Sequence, residues 1–151
     1  MITIICVGKI KEKYLTDAIK EYSKRISKYS KLNIIEVSDI DKGSISEVID
    51  KEGIDILKHI KDRDYVITME IEGNRLSSIE LARKIDTVFN NYSNIVFVIG
   101  GSYGLSDSIK SRSNYSLSFS DLTFPHQLFR VMLLEQIYRV FKINNNETYH
   151  K

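Results

Sequence analysis

Residues 95–105 read Ile95-Val-Phe-Val-Ile99 and then Gly100-Gly-Ser-Tyr-Gly104-Leu105. Five consecutive large apolar residues leave no polar face, so this run is a strand covered on both sides, the pattern of a parallel sheet between layers of helix. Three of the chain's seven glycines follow at once. They mark a turn where backbone comes close to something else or adopts positive φ. Working outward, Ile2 to Val7, Leu32 to Val37, Tyr65 to Ile71 and Tyr115 to Phe119 are comparable β-branched and aromatic runs. Helical spacing fills the gaps: Leu15, Ala18, Tyr22, Ile26 and Tyr29; Val48, Ile49, Ile56, Leu57 and Ile60; Leu81, Ala82, Ile85, Val88 and Phe89. Ser44-Ile-Ser-Glu47 and Ser77-Ser-Ile-Glu80 are capping-box signatures at two helix starts. The alternation predicts an α/β fold, a mostly parallel sheet of about five strands joined by right-handed crossovers and covered by helices. In such sheets ligands sit beyond the carboxyl ends of the strands, here the loops after residues 71, 99 and 119.

At 151 residues the chain fits one domain spanning 1–151, with no internal repeat or linker and Pro125 as its only proline. A content of 42% hydrophobic and 28% charged residues suits a soluble globular protein. No apolar run approaches the roughly 20 residues of a membrane span, so no membrane partner is expected. The N-terminus lacks a positive n-region and a small-residue cleavage site, and reads as a first strand rather than a signal peptide. The single cysteine, Cys6, lies in that strand, which excludes an intrachain disulfide and points to a reducing, cytoplasmic location. Net charge is only +2, so bulk charge does not announce a nucleic-acid binder. Lys20, Lys24, Lys28 and Lys31 fall near one face if residues 13–30 are helical, and Lys9, Lys11 and Lys13 precede it; the plain reading is a solvated face partly paired through Glu21 and Arg25.

The glycine turn is not a dinucleotide fingerprint, because its first two glycines are adjacent and lie four strands into the chain. No Gly-Lys-Ser or Gly-Lys-Thr follows, so it is not a phosphate loop either. It stands as a tight strand-to-helix turn or a ligand loop. The run Ser118-Phe-Ser-Asp-Leu-Thr-Phe-Pro125 offers small hydroxyls and apolar side chains without cations, a lining for a neutral or zwitterionic ligand. Met69 and Glu70 end the third strand near the same rim. His59, His126 and His150 are isolated and one cysteine builds no thiolate site, so no metal is expected.

After Pro125 the last helix carries Leu128, Val131, Met132, Leu133, Leu134, Ile137, Tyr138, Val140 and Phe141, too many for one stripe. Such a helix is buried on two sides, and in a small domain the second side predicts a symmetric homodimer. Glu135 and Arg139 stand one turn apart, as an ordinary ion pair or with Arg139 free to reach a phosphate. Asn144-Asn-Asn146 offers no apolar anchor to the tail beyond it, Tyr149-His150-Lys151, whose groups suit proton transfer and phosphate contact.

Taken in order, Val7-Gly-Lys-Ile-Lys, Asp50-Lys-Glu-Gly53, Val98-Ile-Gly-Gly-Ser-Tyr-Gly-Leu105, Leu117-Ser-Phe-Ser, Thr123-Phe-Pro-His-Gln, Glu135-Gln-Ile-Tyr-Arg139 and Tyr149-His-Lys151 resemble the ribosomal large-subunit methyltransferase H family over essentially the full length. The resemblance implies a SPOUT fold with a C-terminal trefoil knot, which general topology rules would argue against. It implies a cytoplasmic homodimer that transfers a methyl group from S-adenosylmethionine to N3 of a pseudouridine in a 23S rRNA stem-loop; free rRNA, a subunit and the assembled ribosome stay open as substrates, with the modest net charge pointing to a ribosomal particle. By matching positions it implies a donor pocket of Met69, Gly100, Phe119, Ser120, Asp121, Leu122, Thr123 and Phe124. The acceptor's imino proton needs a base. His150 is the first candidate and Glu135 the second, with Arg139, Tyr149 and Lys151 as positioners of RNA. A related enzyme acting on tRNA or another rRNA site, a non-catalytic ribosome-binding protein and a generic nucleotide-binding module are the competing readings.

Overall fold

Residues Ile95–Ile99 form strand β4, fully buried and central, in the computed structural model, which describes residues 1–151. Around it the chain alternates β1 (Ile2–Val7), α1 (Lys13–Ile26), β2 (Leu32–Val37), α2 (Ile45–Leu57), β3 (Tyr65–Arg75), α3 (Ser78–Phe89), then α4 (Asp107–Arg112), β5 (Tyr115–Ser118) and α5 (His126–Asn144). The sheet order is β2-β1-β4-β3-β5 and every pairing is parallel. Successive side chains on a strand point to opposite faces. Ile2, Ile4, Cys6, Ile95, Phe97 and Ile99 therefore meet α1, α3 and α5, whereas Ile5, Val7, Val96 and Val98 meet α2 and α4. Each such burial stabilises the fold by roughly 1.5–3 kcal/mol, which explains why β4 carries no polar residue.

Four local features depart from the sequence expectations. Strand β3 continues to Arg75 because Met69 and Asn74 both stand opposite Leu117, leaving residues 70–73 as a bulge at the end of the sheet. Gly73 permits this, since a Cβ there would lie 2.9 Å from backbone carbons of Leu117 and Ser116. Helix α1 stops at Ile26, short of residue 30, and α4 is too short to display a period in sequence. The box at Ser77–Glu80 is complete, but at Ser44–Glu47 only the serine caps; the Glu47 carboxylate accepts from the Ser44 hydroxyl instead of its backbone N–H.

Candidate active site

A cavity of about 630 Å³ opens at the carboxyl ends of β3, β4 and β5, bounded on its last side by the start of α5. Its size is that of a small-molecule site. The floor is the glycine turn, closed by Gly104 N–H donating to Gly101 O at 3.1 Å. A Cβ on Gly100 would lie 2.9 Å from the Gly104 carbonyl oxygen, and Gly104 has φ +88°, so both glycines are demanded by the turn itself. Gly101 is crowded from behind: a Cβ there would lie 3.0 Å from the Glu52 carboxylate and 3.1 Å from Val7 Cγ1. Glu52 is buried, accepts from Ile40 N–H at 3.2 Å, and its carboxyl is pushed above the ordinary range chiefly by that burial, with Asp39 nearby adding to it.

One wall is the segment after β5. Leu122 N–H donates to Ser120 Oγ at 2.8 Å and the Ser118 hydroxyl donates to Ser120 O at 3.2 Å, which curls the chain tightly. Phe119 and Phe124 lean on Phe129 of α5, with ring centres 4.9 and 6.1 Å away. Met69, Gly100, Phe119, Ser120, Leu122, Thr123 and Phe124 line the cavity together. Asp121 does not; it turns outward onto Arg75, whose guanidinium holds the carboxyl below its usual range. On the opposite wall the Thr68 hydroxyl donates to Glu70 Oε2 at 2.6 Å, and Lys110 Nζ lies 4.0 Å from Glu70 Oε1.

The start of α5 is pinned to the loop after β1. Arg130, 1% exposed, donates to Glu36 Oε2 at 2.6 Å and to the Gly8 carbonyl at 3.1 Å, and Gln127 donates to Lys9 O at 3.4 Å. The cysteine beneath it is inert: burial pushes the Cys6 thiol up to about 12.

The tail folds back on α5. The three asparagines act in sequence: Asn144 donates to Ala82 O at 3.0 Å, Asn145 to Phe141 O at 2.7 Å, and Asn146 takes φ 55° to reverse the chain. Glu147 then accepts from Tyr29 OH and Lys142, both at 2.9 Å, which holds its carboxyl below the usual range. Tyr149 packs edge-on against Tyr138, ring centres 5.0 Å apart, and its hydroxyl donates to Glu135 Oε2 at 2.9 Å. Arg139 donates to Glu135 Oε1 at 2.8 Å, lies 4.7 Å over the Tyr149 ring, and reaches His150 Nδ1 at 3.1 Å. A guanidinium can only donate, so Nδ1 is the acceptor and a neutral ring carries its proton on Nε2. Thus Glu135, Arg139, Tyr149 and His150 form one cluster, anchored by an aromatic contact that the asparagine run gave no sign of.

The cluster lies further along α5 than the cavity, and none of its members lines it. Phe129 is the last residue of α5 on the cavity; Glu135 stands six positions further on and Arg139 ten, about 9 and 15 Å of helix at 1.5 Å per residue. Sequence reading missed Lys110, Phe129 and Arg130. The first lies on the short α4; the others follow from which face of α5 meets the cavity and which meets β1, a matter of tertiary placement.

A twisted all-parallel sheet with a glycine-turn cavity at its carboxyl edge, closed by the last helix, defines the chain's class: residues 1–150 match the family described as "Predicted SPOUT methyltransferase". Two bacterial proteins named ribosomal RNA large subunit methyltransferase H, from Clostridium botulinum and Clostridium tetani, are each 58% identical over 157 residues, covering 99% of both chains. The chain belongs to that family.

Proposed function

We propose that the protein methylates N3 of a pseudouridine in a 23S rRNA stem-loop, using S-adenosylmethionine bound in the cavity. The observation that carries the reading is a cavity of ligand size walled by aromatic rings and floored by backbone, whose one lysine, Lys110, faces the Glu70 carboxylate. It fits an adenosyl group carrying an amino acid and no phosphate. Met69, Gly100, Phe119, Ser120, Leu122, Thr123 and Phe124 would hold the donor; Asp121 would act at one remove, by fixing its segment through Arg75.

In the transfer the carbon–sulfur bond breaks, sulfur keeps the electron pair, the N3–carbon bond forms and the N3 proton passes to a base. Alignment of acceptor and donor is the main contribution, worth several kcal/mol. His150 is the proposed base and Glu135 the second candidate; Arg139, Tyr149 and Lys151 position the RNA. Because the cluster that holds the tail lies about 9 to 15 Å further along α5 than Phe129, the last residue of that helix on the cavity, we infer that the site is completed by a second copy. The outward side of α5 supports this: Leu128 is 40% exposed, with Val131 and Met132 half-buried beside it and Leu122 70% exposed nearby. The C-terminal segment is proposed to be knotted, as in the family, and the setting a ribosomal particle in the cytoplasm.

Labelled methyl transfer to free rRNA, isolated subunits and whole ribosomes, with the modified nucleotide mapped, tests the reading. Modification at N3 of a large-subunit pseudouridine is expected, strongest on a particle, since so modest a net charge gives a weak grip on naked RNA. Methylation of tRNA or of another rRNA site would replace this substrate, and failure to bind the donor in calorimetric titration would leave a ribosome-binding protein without chemistry.

A further inference from the structure

The side chains lining the cavity include three with fixed charge, Glu70, Glu72 and Lys110, a formal excess of one negative charge. Asp121 adds nothing, being paired outward with Arg75, while the buried Glu52 carboxyl behind Gly101 can only add negative character. Glu70 is also held in place. Its Oε2 accepts from Thr68, a fully buried hydroxyl that contacts Ser113 Oγ at 2.8 Å, and its Oε1 faces Lys110. A carboxylate fixed from below on the wall of a half-enclosed cavity projects its field into that cavity, where screening is weaker than in water.

The ligand changes charge during the reaction. S-adenosylmethionine carries a sulfonium, an ammonium and a carboxylate, net +1; S-adenosylhomocysteine has lost the sulfonium charge and is net neutral. Shape differs by one methyl group, so shape alone separates donor from product weakly. Charge separates them better. We propose that Glu70 is a specificity residue that makes the cavity prefer the positively charged donor over the neutral product, with Glu72 acting in the same sense and Lys110 in the opposite sense. The proposal rests on the donor-site reading above. Its consequence is relief of product inhibition, since a site that held both ligands equally would be blocked by its own turnover.

Calorimetric titration of the full-length protein with each ligand at low ionic strength gives the donor-to-product affinity ratio. Glu70→Gln keeps an oxygen to accept from Thr68 and removes the charge. It should lower the ratio about tenfold, mainly through weaker donor binding. Glu72→Gln, more exposed, should lower it about threefold, and Lys110→Met should raise it about threefold even where both affinities fall. A loss of packing cannot move the ratio in opposite directions at neighbouring positions. An unchanged ratio in Glu70→Gln, or a fall in Lys110→Met, overturns the proposal while leaving the donor site standing. Wild-type protein that binds neither ligand overturns the donor-site reading and this proposal together.

Discussion

The proposed completion of the site by a second copy makes a quantitative prediction. Take one variant with a damaged cavity, Gly100→Val, whose added carbons would press on the Gly104 carbonyl 2.9 Å from the Cβ position, and another with a damaged tail, His150→Ala. Each alone should be nearly inactive. Mixed in equal amounts and allowed to exchange, random pairing makes about half the dimers mixed, and a mixed dimer joins one intact cavity to one intact tail. It has one working site of two, so the mixture should recover about one quarter of wild-type turnover. If each tail served its own cavity, the mixed dimer would have no working site and the mixture would stay inactive. The geometry favours the first outcome because the tail's anchors, Glu135 and Tyr138, are rigid parts of α5 about 9 and 14 Å beyond Phe129, the last residue of that helix on the cavity. The assay is labelled methyl incorporation into ribosomal particles, after calorimetry has shown that Gly100→Val has lost the donor and that His150→Ala has kept it. Activity no higher than the mean of the two variants would refute the shared site.

Three further outcomes are expected. Glu36→Ala leaves the Arg130 guanidinium buried with one carbonyl partner and should lower the unfolding free energy in urea, at fixed protomer concentration, by about 3 kcal/mol; the pair Glu36→Gln with Arg130→Met should cost less than that single change. Tyr149→Phe removes the hydroxyl that donates to Glu135 and should cost about 1 kcal/mol of tail docking, read as faster amide exchange over residues 146–151. Tail docking should also depend on pH in a defined direction. Glu147 is held below its usual range by Lys142 first and Tyr29 second, so its contribution is present above the unfolded carboxylate range and is lost as pH falls through the lower folded value; Tyr149 is raised, by burial first and Glu135 second, so its contribution is present below the unfolded phenol range and is lost as pH rises through the folded value. Amide exchange of the tail against pH should show both losses.

The fold was legible where one physical rule dominated. Ile95–Ile99 is apolar on both faces because it is covered on both faces, and the loops after residues 71, 99 and 119 do line the cavity. What stayed hidden depended on contacts between distant segments. Nothing local says that Gly73 lies against β5, that Asp121 turns to Arg75, or that an arginine amid the apolar residues of α5 meets a glutamate on β2. The dense apolar content of α5 was legible as two-sided burial, but Arg130 sits within it because its partner is 94 positions away. The tail's order was hidden for the same reason. Its anchor is Tyr149 itself, packed on a ring one helix turn from Glu135, rather than any feature of the asparagines before it.

In the free chain the groups assigned to chemistry satisfy one another. Glu135 takes both Arg139 and Tyr149, and Arg139 occupies His150 Nδ1. With Nδ1 accepting from Arg139, a neutral His150 ring offers its Nε2 proton rather than a lone pair, so it has no free basic nitrogen while Arg139 stays where it is. An RNA phosphate is the natural competitor for that guanidinium, since a bidentate charge-assisted contact is stronger than one hydrogen bond to a neutral ring at a partly exposed site. On the proposed function, the contact that positions the RNA is thus also the one that frees Nδ1. Tyr149 and Glu147 meanwhile keep the tail close to its working position, so that little chain entropy remains to be lost when RNA arrives. On the same proposal the base is tied to the correct substrate: without a phosphate at Arg139 the imidazole Nδ1 remains engaged, and no free lone pair there awaits the N3 proton.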